Sequence, residues 1–205
     1  MGTPSSARTF SIEKAEEAQR RLGARVKYEL LPVFPPRTVA GVDVHYRGSV
    51  GLAAIALCEC QPLRLLTLAT IAASRAHLDY IPGFLAFREA PLVFKALRSF
   101  ERPDVLLVNG HGVSHPRGCG LATHVGVIKG IPTIGVALKP LSGANPNSCI
   151  EVEHSSGKLY VSVGNLITLD QSVEVLRRLL IPNVKLPLPL YLAHQAAQLV
   201  ARWNR

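Results

Sequence analysis

Apolar residues run along this chain in blocks whose spacing alternates between the strand period of two and the helical period near 3.6. Residues 11–25 read as an N-terminal helix: Ser11 is an expected N-cap, Glu13 falls in the first turn, and Ile12, Ala15, Ala18 and Leu22 form a stripe. Pro32, Pro35 and Pro36 then enforce an extended connector. Val39 to Tyr46 is the first strand, with Ala40, Val42 and Val44 on one face and Val39, Gly41 and Asp43 on the other. The Arg47-Gly48-Ser49 turn leads to a strand over 52–60, and Pro62 separates it from another over 63–74. Three strands joined by short turns predict an antiparallel meander. Residues 84–100 have helical spacing, Val105–Asn109 is a strand, 122–129 a short helix and 132–138 a buried strand. This alternation predicts parallel pairing. Residues 143–156 read as a surface loop, 158–164 as a strand, and 169–180 as a helix with Asp170 and Glu174 early and Arg177 and Arg178 late. A proline-fixed linker and a last helix occupy the tail, 181–205.

The expectation is one α/β domain over 1–205, a mixed sheet flanked by helices, with residues 1–10 frayed. The length of 205 residues supports a sizeable core, and 48% hydrophobic against 18% charged residues excludes a disordered chain. Lys plus Arg number 23 against 14 Asp plus Glu, a net charge of +9, which favours a polyanionic partner, nucleic acid first. The basic residues of the first helix, Lys14, Arg20, Arg21 and Arg25, are read as a solvated face. Cys58, Cys60, Cys119 and Cys149 do not have zinc-knuckle spacing and are read as reduced packing residues. No basic segment precedes an apolar core at the N-terminus, and no apolar run reaches the ~18 residues of a membrane span. A cytoplasmic protein with no membrane partner is expected, monomeric by default.

Candidate chemistry centres on the stretch from Val105 to Gly135. A short apolar strand opens there into a loop rich in glycine and histidine, the way α/β proteins present backbone amides to a ligand. Asp43 in mid-strand is costly to bury unless it is paired or bound to a metal. With Glu89 and the amide oxygen of Asn109 it would form a hard-oxygen site for Mg²⁺ or Mn²⁺. His111, His115 and His124 do not share a helix face, so a zinc triad is not expected. His115 is read as a hydrogen-bond donor to a phosphate or carboxylate, and His124 as a satisfied structural histidine. The glycines match neither a P-loop nor a dinucleotide fingerprint.

The segments VAGVDVHY, YIPGFLAFREAP, VNGHGVSHPRGCGLATHVG, PTIGVA and YVSVGN…ITLD together resemble the endonuclease V family over roughly residues 38 to 180. The resemblance implies an RNase H-like fold. It also implies Mg²⁺- or Mn²⁺-dependent cleavage of single- or double-stranded DNA or RNA at the second phosphodiester bond 3′ to inosine. The ends left are 3′-hydroxyl and 5′-phosphate, and the setting is repair or inosine-RNA processing. It casts Asp43 and Glu89 as metal ligands and His115 as a residue near the cleavage centre. Tyr80, Ile81, Pro82 and Gly83 become a wedge that separates bases. Leu85, Gly110, Gly112, Gly120 and Leu121 become the hypoxanthine pocket, with Arg88 beside them. The chain departs from the family pattern at three places. Asn109 stands where the family has an Asp ligand, Asn165 where it has His, and Leu138 where it has a phosphate-contacting Lys, with Lys139 one residue later. PLPLY replaces PEPLR in the tail. A homologue that binds inosine but cuts weakly or not at all is the alternative expectation.

Overall fold

A computed structural model describes residues 10–76, 78–98 and 100–203. Except for Phe10, the segment expected to be frayed lies outside the described residues, as do Asn204 and Arg205 in the tail. The first helix, α1 (Ile12–Gly23), is capped as its sequence predicts, with the Ser11 side chain accepting from the Lys14 amide at 3.3 Å. Its buried face differs from the expected stripe. Ile12 is 52% exposed, while Ala15, Gln19 and Leu22 are buried. A glutamine replaces an apolar residue there because this helix packs against backbone carbonyls, described below.

The antiparallel meander forms from β1 (Thr38–Arg47), β2 (Val50–Cys60) and β3 (Leu63–Arg75). Helix α2 (Leu85–Arg98) then crosses to β4 (Val105–Asn109), and α3 (Leu121–Lys129) to β5 (Thr133–Ala137). Both strands run parallel in the sheet, β4 against β1 and β5 against β4. Two features correct the expectation. Within 143–156 the chain forms a 3₁₀ turn at Pro146–Ser148 and a strand, β6 (Ile150–His154). In addition, β7 (Gly157–Asn165) runs antiparallel to β5, because it forms a hairpin with β6. β6 was illegible because it is a charged edge strand: only Val152 is buried. Glu151 and Glu153 face Lys158 at 2.6 and 3.3 Å, which protects the open edge.

The sheet order is β3-β2-β1-β4-β5-β7-β6. Strand alternation splits the core in two. Ala40, Val42, Leu106 and Val108 pack with Ala86, Ala90 and Val93 of α2 and with α3 on one face. Val39, Val105, Leu107, Ile134 and Val136 pack on the other with Val175 and Leu176 of α4 (Leu169–Arg178) and with Leu190 of α5 (Leu188–Trp203). α5 lies close against the meander because small residues meet: Ala54 and Ala56 of β2 touch Ala193, Ala196 and Ala197. That approach brings His194 of α5 over Asp43 of β1. Among the described residues no helix is long and apolar enough to cross a membrane.

Candidate active site

Register decides the carboxylate side. Val42 of β1 is level with Val108 of β4, so the next residues, Asp43 and Asn109, stand side by side on one face. Asn109 Nδ2 donates to Asp43 Oδ1 at 2.8 Å. The other oxygen, Oδ2, lies 2.7 Å from Nδ1 of His194 on α5. Asp43 is 7% exposed and Glu89 8%. Burial, then the negative charge of Asp43, pushes the Glu89 carboxyl up to about 8 despite the opposing pull of Arg88. The hydrogen bond to Asp43 raises the His194 imidazole above its ordinary range. Gln198 Nε2 sits 2.9 Å from His194 Nε2 and completes a chain from α5 to β4. His194 and Gln198 escape the sequence reading. The available signal is an imidazole four residues before an amide in a helix whose buried positions are Pro189, Leu190 and alanines.

The recognition side lies next door in sequence and space. Gly110, directly after Asn109, lines a cavity of about 80 Å³ together with Tyr80, Gly83, Leu85, Gly120 and Leu121. Gln19, Ala86, His111, His115 and Leu141 complete the wall. A larger cavity of about 360 Å³ lies around Leu31, Asp104 and Pro132, at the far end of the parallel strands and away from every carboxylate of the site. The chemistry therefore points to the smaller one. The turn at 80–83 projects beside it: Tyr80 is 61% exposed, Pro82 is exposed and Ile81 half-buried. Phe84 N closes the turn on Ile81 O at 3.0 Å.

Several expected site residues do other work. Gly112 does not line the cavity; a Cβ there would lie 2.0 Å from Val163 O, so the glycine lets the loop lie on β7. His115 reaches neither a carboxylate nor the open face. Its Nε2 lies 3.1 Å from Gly83 O and its Nδ1 accepts from the Arg117 amide at 3.2 Å, which fixes a neutral Nε2–H imidazole. Burial and the Arg117 charge hold it down at about 4. His124 is not satisfied: Nδ1 has no partner, and the ring packs at 5.5 Å from Phe87 and 6.2 Å from Phe94. Asn165 is not brought to Asp43. It pairs with Thr133 at the start of β5, whereas Asn109 is level with Val136 near its end. Its amide is spent on Lys27 N and Gly126 O, both at 3.1 Å. Arg88 stacks on the Tyr46 ring at 3.9 Å, and its Nε is buried without a partner. Lys139 and Leu138 are exposed, and the Lys139 backbone accepts from the His111 ring near the cavity mouth. All four thiols are free, and Cys58, Cys60 and Cys119 are pushed up to about 11, 11 and 12 by burial, which suits packing and not nucleophilic chemistry.

A divalent cation fits the donor set. Asp43 and Glu89 are buried carboxylates whose mutual repulsion a cation relieves, and Mg²⁺ commonly uses one or two carboxylates and keeps its remaining waters. Asn109 would join by turning its amide so that Oδ1 faces inward. Among the described residues, no three His, Cys, Asp or Glu side chains converge on a metal position.

The profile of the family described as Endonuclease V matches residues 20–156 and 147–195. Endonuclease V of Desulfurococcus amylolyticus is 43% identical over 204 residues, covering 90% of this chain and 93% of that protein. The structure of endonuclease V from Bacillus subtilis superposes with a TM-score of 0.83 at 25% identity, covering 97% of this chain and 95% of that one. That of Ciona intestinalis, in complex with a 24mer DNA containing an inosine followed by a ribo-adenosine, has a TM-score of 0.80 at 18% identity, covering 93% and 98%. The mixed sheet with helices on both faces is thus RNase H-like, and with this much of its length matched the chain belongs to the endonuclease V family.

Proposed function

We propose that this protein is a divalent-metal-dependent nuclease that recognises inosine in a DNA or RNA strand. It cleaves the second phosphodiester bond on the 3′ side, leaving 3′-hydroxyl and 5′-phosphate ends. One observation carries the reading: the carboxylate side and the cavity are built by adjacent residues of the same elements. Asn109 bonds Asp43 while Gly110 lines the cavity, and Leu85 and Ala86 line it while Glu89, one helical turn on, supplies the buried carboxyl. A base held in the cavity would therefore lay its adjoining backbone toward Asp43 and Glu89. The inosine-containing DNA bound by the Ciona relative supports the same class of substrate.

Each residue has a task in this reading. Tyr80 and Pro82, exposed at the turn, enter the gap left when the base leaves the stack, offsetting part of the unstacking cost of a few kcal/mol. Leu85, Gly110, Gly120 and Leu121 enclose the extruded base, and the glycines admit backbone groups to its Watson–Crick edge. Asp43 and Glu89, with Asn109, would hold Mg²⁺ or Mn²⁺, an ion whose chemistry would be to activate a water and to stabilise charge on the phosphate. His194 orients Asp43 through Oδ2. Arg88, next to Glu89 in the chain, is held by its stacking on Tyr46. Lys139, exposed at the cavity mouth, offers a cation to the strand in place of the lysine missing at Leu138.

A second reading, inosine binding with weak or lost cleavage, is favoured by one contact. The Asn109 amide donates to Asp43 Oδ1, so a neutral group sits on an oxygen the cation needs. The decisive experiment uses a labelled inosine-containing single strand in Mg²⁺ and in Mn²⁺, with Asp43→Ala and Asn109→Asp alongside. Cleavage by the parent that vanishes in Asp43→Ala supports the nuclease. Inosine-selective binding without cleavage supports the second reading, and binding with no preference for inosine removes both.

A further inference from the structure

The backbone carbonyl of Gly83, at the base of the exposed turn, is met by three donors. Gln19 Nε2 lies 2.9 Å away, Arg117 Nη2 2.9 Å and His115 Nε2 3.1 Å. A carbonyl oxygen has two lone pairs, so three convergent N–H groups are more than an ordinary turn needs. Gly83 has φ +81°, a conformation open to glycine and strained for other residues, so the chain must be held there. The donors are themselves tied together. Gln19 Oε1 accepts from Arg117 Nε at 2.6 Å, Glu16 Oε1 lies 3.2 Å from Arg117 Nη1, and the guanidinium lies 4.6 Å from the Phe84 ring centroid. Gln19 Nε2 also lies 3.2 Å from Cys119 O, one residue before Gly120 in the cavity wall.

We propose that Gln19 and Arg117 are positioning residues that hold the turn at 80–83 at a set distance from the cavity wall at Gly120, and so set how well an extruded base is read. The functional meaning rests on the nuclease reading above. The geometry has a physical logic. Gln19 is 1% exposed and is the only buried polar side chain of α1, so its two donors and its acceptor all need partners inside the protein. It finds one on each wall of the cavity and the third in Arg117. Charge-assisted bonds from Arg117 stiffen the same carbonyl and anchor it to Glu16. α1 thus joins two walls 64 and 100 residues away in sequence, which no local turn could do. His115 shares the carbonyl, which gives this ring a positioning role and not one at the phosphate.

The test compares the parent with Gln19→Met, which keeps volume and loses every polar contact. Val173→Ala in α4 serves as a destabilising control remote from the cavity. Two quantities are read on the full chain. One is the ratio of binding to inosine- and adenosine-containing single strands, with 2-aminopurine beside the inosine reporting unstacking. The other is hydrogen exchange at the Phe84 amide, which closes the turn. Gln19→Met is expected to lower the inosine preference and the 2-aminopurine signal about tenfold and to speed Phe84 exchange by a similar factor. Val173→Ala should leave both at parental values while lowering Tm. The proposal is overturned if preference and exchange in Gln19→Met stay within about twofold of the parent, or if Val173→Ala moves them equally. A parent with no inosine preference sinks the nuclease reading, and Phe84 exchange then still decides whether the clamp exists.

Discussion

Glu89 concentrates the residue-scale chemistry. Its folded carboxyl titrates at about 8 against an ordinary 4.5, so between those values the folded chain keeps a proton that the unfolded chain has lost. Stability from this group is full below its ordinary pKa and falls as pH rises toward 8, by roughly 4–5 kcal/mol in the metal-free protein. Glu89→Gln should flatten that slope, read as urea midpoint against pH in EDTA. His115 and His124, both held at about 4 by burial, act oppositely. The unfolded chain takes up protons they refuse, so stability is lost as pH falls below 6.5, while His194, raised by its bond to Asp43, adds to the Glu89 slope above that value and is separated from it by comparing Glu89→Gln with the parent. Asn109 carries a second expectation. Restoring a carboxylate with Asn109→Asp adds a unit charge beside Asp43, worth roughly 4 kcal/mol per unit charge at about 4 Å and an effective dielectric of 20, before desolvation. Titration with Mn²⁺ should show at least about tenfold tighter binding, a gain that Glu89→Gln reduces. Equal Mn²⁺ affinity in parent and Asn109→Asp would remove this residue from the metal site.

At the scale of elements, the seating of α5 on β1 and the placing of the turn at 80–83 matter most. Gly41 makes the first possible: a Cβ there would lie 2.3 Å from Pro189 C and 2.4 Å from Leu190 N, both backbone. Gly41→Ala should therefore push α5 outward, cost about 1–3 kcal/mol or more in urea denaturation, and separate His194 from Asp43. His194→Ala removes the same contact without moving the helix. It should reduce single-turnover cleavage and lower the denaturation midpoint, because Asp43 Oδ2 is left buried without its partner even though the ring itself is part-exposed. A Gly41→Ala protein as active as the parent would show that the position of α5 is unimportant to the site. Tyr80 belongs to the other element. Tyr80→Ala should spare the fold, because the side chain is 61% exposed, and should weaken unstacking beside inosine. A 2-aminopurine response equal to that of the parent would rule this turn out as the wedge.

For the whole molecule, the net charge of +9 predicts strand binding that weakens steeply with salt, with a log–log slope of about −0.7 per phosphate neutralised on single strands. Equal affinity at low and physiological salt would argue against backbone binding. Most elements were legible beforehand, since amphipathic periods, the Ser11 cap and the proline breaks act locally. So were the segments YIPG and NGHG and the two carboxylates, which name the family without any contact being known. The charged edge strand β6 was not legible, because an edge needs few apolar residues and its pairing comes from β7. Nor was the work of Gln19, His115, Asn165 or His194. Each has a side chain that suits several partners, and its partner lies from 32 to 151 residues away. The sequence by itself determined the strand and helix periods, the family and the positions of the two carboxylates. Only the tertiary structure decided that Asp43 faces His194 and Asn109, that His115 supports a turn, and that Asn165 fastens a loop, because hydrogen bonds between distant segments depend on register and packing that no local pattern encodes.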